Sequence, residues 1–395
     1  MTSYRPLDAE ALRACLGARN TLAARLGGAP ADWVLREVSD GNLNTVFLVE
    51  GPTGALCCKQ SLPHVRVDPD WKMPLDRTDF EARYMRAVSP FVGHLMPEFH
   101  AFDAELHLLV MEGLTHHRVL RTALADGTAA AGFSARIGEY VGRTAFHTSW
   151  RGRPFEAVMK NVARFARNTT LTRITVDLVL TDPCVPDCPR NRPLSPDLDE
   201  TVAALQSDST LRDAVSRLQE RFLCCPQALL HGDLHTGSVM VHGDDVRVID
   251  GEFALMGPIG FDCGLYLGNL LLHACARPER REWMQDEIAL FWRSLEHLYR
   301  DLWDENPQAG DVGALLSPES RRSAQAATLR AIRRDSAGFA GLELIRRTIG
   351  YAQVADYALT PDRVAEAEAR RRALALGRTL ILGATMDEAV EACFQ

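Results

Sequence analysis

The segment at residues 229–262, "LLHGDLHTGSVMVHGDDVRVIDGEFALMGPIGFD", places acidic side chains at the ends of short apolar runs. Asp233 follows "QALLHG", and Asp250 ends the run "VRVI", with Glu252 two residues later. We expect two carboxylates at adjacent strand ends to converge, and they repel unless a cation or a shared proton intervenes. Oxygen ligands with few imidazoles favour Mg²⁺ over zinc. The segment therefore predicts a magnesium site.

Upstream residues supply other components of phosphoryl transfer, which needs a metal held by acids, a phosphate-binding turn and a lysine on a strand. The turn "DGNLN" (40–44) can donate backbone amides to phosphate oxygens. Lys59 lies near the end of the third β-like run, and Glu81 lies in the next predicted helix, where it can pair with that lysine. Alternatively, Lys59 is an edge residue and Glu81 is solvated. Their order along the chain favours the nucleotide-binding interpretation.

The elements that would position these residues divide the chain into two parts. Alternating β-like runs separated by turn residues predict an antiparallel meander in the first part, followed by a helix that ends before Pro90. The predicted strands are 33–38, 45–50, 55–60 and 105–112, and the predicted helix lies in the segment 76–91 and ends before Pro90. We expect a small β-rich N-terminal lobe at residues 1–113.

Helical patterns dominate the second part, which we expect to be a larger lobe at residues 114–395. The predicted helices are 134–150, 208–223, 261–275, 282–303, 320–356 and 361–390, the last opened by Thr360 and Pro361. "SVMV" and "VRVID" predict a hairpin around "HGDD", and the Pro-rich stretch 181–197 predicts an irregular surface loop. The fold class is therefore α+β and bilobal.

Composition limits the class of protein further. The chain has 395 residues, of which 46% are hydrophobic, and a net charge of −8, which does not favour nucleic acid or an anionic membrane surface as a partner. It contains neither a membrane-spanning apolar run nor a signal-peptide h-region, so we expect a cytoplasmic protein. Ten cysteines form no CxxC pair. "CVPDC" (184–188) lacks partner histidines, so reduced thiols are favoured over structural zinc.

The motif "HGDLHTGSVMV…VIDGEFALMGPIGFDCG" resembles the catalytic segment of the 5-methylthioribose kinases, relatives of aminoglycoside phosphotransferases and of the protein-kinase fold. Related enzymes usually carry Asn where this chain has Ser238. Further similar segments follow in the expected order along most of the chain: "DGNLNTVF" (40–47), "KQSLPHVRV" (59–67), "DWKMPLDRTDFEA" (70–82), "LVMEGL" (109–114) and "RRTIGYAQVADY" (346–357).

This resemblance implies a protein-kinase-like fold and an ATP-dependent kinase that phosphorylates the 1-hydroxyl of S-methyl-5-thioribose. Asp233 would orient the acceptor hydroxyl and accept its proton, while Asp250 and Glu252 would hold Mg²⁺. Arg346 and Arg347 would lie near the sugar. The residues implied at the ATP site are Asn42, Asn44, Lys59, Glu81, Met111, Glu112, Gly113 and Leu114, the last four as the adenine-binding hinge. A homodimer is compatible with the long C-terminal helices.

Several alternatives remain open. His231 and His235 are more simply structural than catalytic, Arg346 and Arg347 could form a solvated helix face, and Asp262 could brace the catalytic loop. Gly251 replaces a proline usual in the family, which predicts a more flexible metal-bearing turn. Changes at 251, 255 and 256 keep open a kinase acting on another 5-modified ribose or on an antibiotic. A catalytically inactive binding protein is disfavoured because Lys59, Asp233 and Asp250 are all present.

Overall fold

The structure, a computed structural model, describes residues 4–38, 43–66, 68–313 and 315–394. Its contacts divide the chain into two compact units. The first unit comprises Met1–Arg118 and Arg247–Ala254, and the second comprises Val119–Val246 and Leu255–Gln395. The short segment that carries Asp250 and Glu252 therefore folds with the N-terminal unit, although more than 125 residues of the second unit precede it in sequence.

A five-stranded antiparallel sheet of order β1-β2-β3-β7-β6 organises the first unit. Its strands are β1 Val34–Val38, β2 Asn44–Glu50, β3 Ala55–Ser61, β6 Phe99–Asp103 and β7 Leu108–Glu112. A two-stranded ribbon adds β4 His64–Val65 and β5 Asp68–Lys72. The predicted meander is confirmed. The predicted strand at 105–112 is shorter because residues 104–107 form the turn that connects it to β6, and His107 there has a φ of 48°.

Side-chain alternation along β3 explains where the site residues of this sheet lie. Leu56 and Cys58 face a core built with α1 (Ala9–Gly17) and α2 (Asn20–Leu26). Because successive strand residues point to opposite faces, Lys59 projects from the other face. Lys59 aligns with residues of β2 and of β7, so it lies on an interior strand, and the edge-residue interpretation is wrong.

The helix α3 (Arg77–Val92) follows the ribbon and contacts β3. Phe80, Tyr84 and Val88, spaced at four residues, are all buried. The prediction that this helix ends before Pro90 is wrong, since Pro90 lies within its last turn. A proline there removes only one intrahelical hydrogen bond, and Val92 beyond it is completely buried.

The second unit is mainly helical. Its helices are α4 Leu120–Ala125, α5 Phe133–Thr148, α6 Phe155–Phe165, α7 Thr169–Leu178, α8 Asp199–Ser207, α9 Ser209–Cys224, α10 Gly260–Ala276, α11 Arg281–Glu305, α12 Gly310–Gly313, α13 Pro318–Ile349, α14 Arg363–Ile381 and α15 Met386–Phe394. β9 Ala228–Leu230 pairs with β12 Leu255–Gly257 in antiparallel fashion. The predicted hairpin strands correspond to β10 Val239–His242 and β11 Asp245–Val248, joined by a turn, and the last two residues of β11 belong to the first unit. β8 is Arg118–Val119.

Glycines at every fourth residue bring α10 and α13 close together. A Cβ atom at Gly260 would lie 2.7 Å from the Cβ of Asp335, and one at Gly268 would lie 2.9 Å from the Cβ of Glu343. Gly264, between them, has the same relationship to Phe339, at 2.6 Å. Because real Cβ contacts are longer than these distances, larger residues at these positions would push the helices apart.

Several predicted elements in this unit end elsewhere. The helix expected at 320–356 ends at Ile349, and the one expected at 361–390 is divided into α14 and α15 near Gly383, whose φ is 108°. Asp362, rather than Thr360 and Pro361, caps α14 by accepting a hydrogen bond from the amide of Ala365.

The stretch 181–197 is irregular, as predicted, but its short 3₁₀ turn at Asp182–Cys184 is buried rather than exposed. α6, α7 and α8 flank this stretch or precede it, and the sequence patterns did not predict them. Within the described part of the chain, none of the helices combines the length and the apolar character needed to cross a membrane.

Candidate functional site: two clusters of charged residues

The first cluster lies in the first unit and consists of Lys59, Glu81, Asp250 and Glu252; we refer to it as the carboxylate cluster. Oxygen atoms of its three acids lie within 4.8 Å of one another. The Nζ of Lys59 lies 2.7 Å from the Oε2 of Glu81 and forms a second, short ion pair with the Oδ1 of Asp250. The structure therefore brings together the predicted lysine–glutamate pair and the two predicted metal ligands.

Charge and burial determine the ionisation of the carboxylate cluster. Burial would lower the pKa of Lys59, but Asp250, Glu252 and Glu81 outweigh it and raise this pKa. Burial raises the pKa of Glu81 to about 7, against the opposing effect of Lys59, and also raises the pKa of Glu252. One lysine is thus shared by three acids, two of which are almost completely buried.

Neighbouring side chains hold Glu252 in place. Asn44, the first residue of β2, donates a hydrogen bond from Nδ2 to the Oε2 of Glu252 at 3.0 Å. Arg77, at the start of α3, lies 3.8 Å from the same oxygen and donates at 3.3 Å to the Oδ1 of Asn44. Arg77 also donates to the backbone carbonyls of Leu43 and Leu62. Asn44 was predicted as a site residue, whereas Arg77 was not, because nothing in the local sequence pattern distinguishes Arg77 from a solvated helix residue.

The turn that carries Asp250 has an unusual backbone. Asp250 is one of the few described non-glycine residues with a positive φ, 74°, and its side chain is half exposed. A Cβ atom on Gly251 would lie 2.4 Å from the ring of Tyr84 on α3. This close contact with a buried ring favours glycine at position 251, and the expectation that Gly251 makes the turn more flexible stays a prediction.

The remaining residues predicted at the ATP site lie on or beside the same sheet. Met111 and Glu112 end β7, and Gly113 donates its backbone amide to the carbonyl of Ala55 at 3.1 Å. The amide of Glu112 donates to the carbonyl of Glu98 at 2.9 Å, and Leu114 follows as a half-buried residue. Asn42 and most of the predicted phosphate-binding turn lie outside the described residues.

The second cluster lies in the second unit and consists of Asp233, His235, Glu343, Arg346 and Arg347; we refer to it as the Asp233 cluster. The Nη2 of Arg346 lies 3.5 Å from the Oδ1 of Asp233, and the Nε2 of His235 lies 3.4 Å from its Oδ2. Both arginines are at most 7% exposed, so the solvated-face interpretation is wrong.

The loop around Asp233 is fixed by hydrogen bonds to its backbone. Asp262 accepts from the amides of His231 and Gly232 at 2.7 and 2.9 Å, which agrees with the bracing role considered for it. Ser238 donates to the carbonyl of Asp233 at 2.6 Å and accepts from the amide of His235 at 3.0 Å. These contacts fix the backbone of the loop that carries Asp233.

Electrostatics keep Asp233 ionised. Burial alone would raise the pKa of Asp233, but hydrogen bonding to His235 and the charges of Arg346 and Arg347 outweigh it and hold the pKa well below its usual range. Burial, helped by neighbouring arginines, lowers the pKa of His235 to about 4, so this imidazole is neutral near pH 7. Asp233 is therefore ionised near pH 7 and able to accept hydrogen bonds.

A third arginine, Arg121 on α4, was not anticipated from the sequence. Its Nη2 donates to the Oδ1 of Asn269 at 3.1 Å and lies 3.2 Å from the Nδ1 of His235. Burial lowers its pKa to about 10, so it is charged near pH 7. No motif in the sequence marked Arg121, which lies 112 residues before Asp233.

Comparison with known proteins places these clusters in context. Residues 34–305 match the family model described as the phosphotransferase enzyme family. The class that this match defines is a phosphotransferase, and the combination of an antiparallel sheet with many helices confirms the predicted α+β fold class.

The particular family follows from full-length relatives. A methylthioribose kinase of Escherichia coli O45:K1 is 36% identical over 410 residues, covering 100% of this chain and 97% of the relative. Methylthioribose kinase 1 of Oryza sativa subsp. japonica is 34% identical, covering 98% of this chain and 94% of the relative. A methylthioribose kinase of a Geobacillus species is 37% identical, covering 92% and 90%. The chain belongs to the methylthioribose kinase family, as the sequence motifs predicted.

Proposed function

We propose that this protein transfers the γ-phosphoryl group of ATP to the 1-hydroxyl of S-methyl-5-thioribose, with Mg²⁺ as the metal ion. The observation that carries the proposal is the 36% identity to a methylthioribose kinase across the whole chain. The two clusters supply the chemistry that such a reaction needs, namely neutralisation of phosphate charge and orientation of an alcohol.

The carboxylate cluster fits a magnesium ion. Three carboxylates within 4.8 Å offer only oxygen ligands, which Mg²⁺ prefers, and Lys59 and Arg77 together do not balance their charge. We assign Asp250 and Glu252 as the ligands, as the resemblance to the family's metal-binding motif implies, and Glu81 as the partner that holds Lys59. When bound, the metal would neutralise charge on the nucleotide phosphates.

Lys59 and Glu81 act together on the nucleotide side of the reaction. Lys59 contacts both Glu81 and Asp250 in this structure. We assign the ammonium group of Lys59 to the α- and β-phosphates, with Glu81 retaining it in position. The amides of Glu112 and Gly113 already donate to protein carbonyls, so we assign the hinge amide of Leu114 to adenine.

Asp233 orients the acceptor. A carboxylate whose pKa is held low is a weak base, but phosphoryl transfer has a largely dissociative transition state and needs little base assistance until the proton is lost late. Asp233 would therefore accept a hydrogen bond from the sugar hydroxyl and take its proton as the new bond to phosphorus forms. Arg346 and Arg347 would stabilise the negative charge of the transferring group.

The proposal is tested by measuring ADP release with purified protein, ATP and Mg²⁺ in the presence of S-methyl-5-thioribose, ribose, other 5-modified riboses or an aminoglycoside. We expect turnover with S-methyl-5-thioribose to exceed that with every other acceptor. ³¹P NMR of the product should show phosphate on the anomeric position. Absence of turnover with this sugar, or a higher kcat/KM for another acceptor, would overturn the proposed substrate.

A further inference from the structure

The Asp233 cluster is built around one buried carboxylate that the proposed mechanism does not use. Glu343 is completely buried in α13, one turn before the two arginines. Its Oε2 accepts a hydrogen bond from the Nε of Arg346 at 2.7 Å, and its Oε1 accepts one from the Nε of Arg347 at 2.7 Å. Residues three and four apart lie on the same helix face, so a single carboxylate can hold both guanidinium groups.

A hydrogen bond from another helix fixes this carboxylate in turn. Asn269 on α10 donates from Nδ2 to the Oε1 of Glu343 at 2.7 Å, and its Oδ1 accepts from Arg121. The contact depends on Gly268, because a Cβ atom there would lie 2.9 Å from the Cβ of Glu343. The close packing of α10 on α13 therefore places the side-chain amide of Asn269 within hydrogen-bonding distance of the Glu343 carboxylate.

The two arginines differ in their further contacts, and the Nη1 of Arg347 donates to the backbone carbonyl of Ala352 at 3.2 Å. Glu343 binds Arg346 and Arg347 chiefly through their Nε atoms, and the Nη2 of Arg346 is directed to Asp233 at 3.5 Å. Burial alone would raise the pKa of Glu343, but Arg346 and Arg347 lower this pKa to about 2. The carboxylate is therefore ionised near pH 7. Without it, two buried guanidinium groups beside Asp233 would lose their shared counter-ion.

We infer that Glu343 is a positioning residue for the acceptor: its carboxylate, oriented by Asn269, holds Arg346 and Arg347 in the geometry in which they bind the sugar and the transferring phosphoryl group. The inference rests on the proposed function and deepens it. Glu343 touches neither reacting group itself. Its loss should therefore impair acceptor binding and turnover while leaving the affinity for ATP unchanged.

The chain offers a matched control on the same helix. Asp335, two turns before Glu343, is also a buried carboxylate, and it pairs with Arg221 at 2.8 Å. Asp335 packs against Gly260 just as Glu343 packs against Gly268. Substituting Asp335 by Asn therefore removes a buried charge from α13 without altering the contacts of Asp233.

The experiment compares Glu343→Gln with Asp335→Asn in the wild-type chain. Because hydrogen bonds between charged groups are the strong ones, we expect Glu343→Gln to raise the KM for S-methyl-5-thioribose about tenfold and to lower kcat about tenfold. The KM for ATP should change less than about twofold by the same reasoning, since no nucleotide contact is removed. Asp335→Asn should lower thermal stability about as much as Glu343→Gln does. It should leave kcat and the KM values for both substrates unchanged.

Two further measurements keep the test decisive if Glu343→Gln folds poorly. Asn269→Ala retains every charge in the cluster. Like Glu343→Gln, it should raise the KM for S-methyl-5-thioribose, by about threefold. In an Arg347→Ala background, Glu343→Gln should cause a smaller additional loss than it does alone, because coupled residues are non-additive.

The outcomes separate the inference from the proposed function. If wild-type protein neither binds S-methyl-5-thioribose by calorimetry nor phosphorylates it, the proposed function fails. If wild-type protein is active and Glu343→Gln shows unchanged constants, or equal increases in the KM for both substrates, the inference about Glu343 is overturned.

Discussion

The imidazole of His235 joins the carboxylate of Asp233 to the backbone of its own loop. The Nδ1 of His235 accepts a hydrogen bond from the amide of Gly237 at 2.8 Å, so this nitrogen carries no proton. The proton therefore resides on Nε2, which lies 3.4 Å from the Oδ2 of Asp233 and donates to it. The tautomer of a neutral histidine thus fixes one oxygen of the proposed proton acceptor.

We predict that His235→Ala lowers kcat about tenfold, because Asp233 loses a hydrogen-bond donor and the amide of Gly237 loses its acceptor. The measurement is steady-state turnover with S-methyl-5-thioribose. His297→Ala is the control, since His297 forms an exposed pair with Asp301 at 3.3 Å, almost the same distance. Equal kcat values for wild-type protein and His235→Ala would contradict the orienting role.

The same residue predicts a pH dependence of stability. The folded pKa of His235 is about 4, below the value of about 6.5 for an unfolded histidine. The unfolded chain therefore binds more protons between these two values, so the free energy of unfolding falls as pH falls from about 6.5 to about 4. His235→Ala should reduce that slope in urea titrations performed across this range. An unchanged slope would show that His235 is not held neutral.

The ion pairs of Lys59 predict a second pH-dependent effect on the stability of the protein. Lys59→Met removes the cation paired with Glu81 and Asp250, and removal of one partner from a buried ion pair destabilises a protein by about 3 kcal/mol or more. Because the pKa of Glu81 is already raised to about 7, we expect the deficit at pH 8 to shrink as pH falls toward 6 and this carboxylate becomes protonated.

Thermal denaturation at several pH values tests the Lys59 prediction. Lys72→Met provides the control, because Lys72 is exposed in the same unit and donates to the backbone carbonyl of Pro69. A Lys59→Met protein as stable as Lys72→Met at every pH would contradict the account of the carboxylate cluster.

The proposed metal ligands predict a response to Mg²⁺. A ligand that binds only the folded state raises its stability with concentration, so Mg²⁺ with a non-hydrolysable ATP analogue should raise the Tm of wild-type protein. Asp250→Asn should abolish most of that increase while leaving the Tm without Mg²⁺ unchanged or higher, since like-charge repulsion is relieved. Asp79→Asn on α3 is the control. An increase in Asp250→Asn equal to that of wild type would exclude Asp250 as a ligand.

Gly251 predicts a purely steric effect. Gly251→Ala should destabilise the protein by about 1–3 kcal/mol, the usual cost of overpacking, because the new Cβ meets the buried ring of Tyr84 at 2.4 Å. Gly93→Ala, at a position with helical backbone and no atom within 4 Å of the added Cβ, should be neutral or stabilising. Urea denaturation of both variants distinguishes them, and equal stability would refute the steric argument.

The sequence predicted those features that depend on local patterns. β1, β2 and β3 were predicted to within one residue at each end, because alternation and turn residues are properties of short segments. Lys59, Glu81, Asp250 and Glu252 were selected from motif order, and the structure brings them together.

Features that depend on distant contacts could not be predicted in this way. Glu343 and Asn269 are 74 residues apart, and their hydrogen bond exists only because Gly268 allows two helices to approach. Pro90 and Gly383 illustrate opposite errors. Tertiary packing extends α3 beyond Pro90, whereas α14 ends just before Gly383 although the helical pattern in the sequence continues through this glycine.

The central claim is that Asp233 receives the proton of the sugar hydroxyl, and Asp233→Asn tests it most directly. Phosphorylation of S-methyl-5-thioribose should fall by about two orders of magnitude or more, because asparagine preserves shape but cannot accept the proton. Binding of the ATP analogue, measured by calorimetry in the same preparation, should be unchanged. Wild-type turnover in Asp233→Asn would contradict the account.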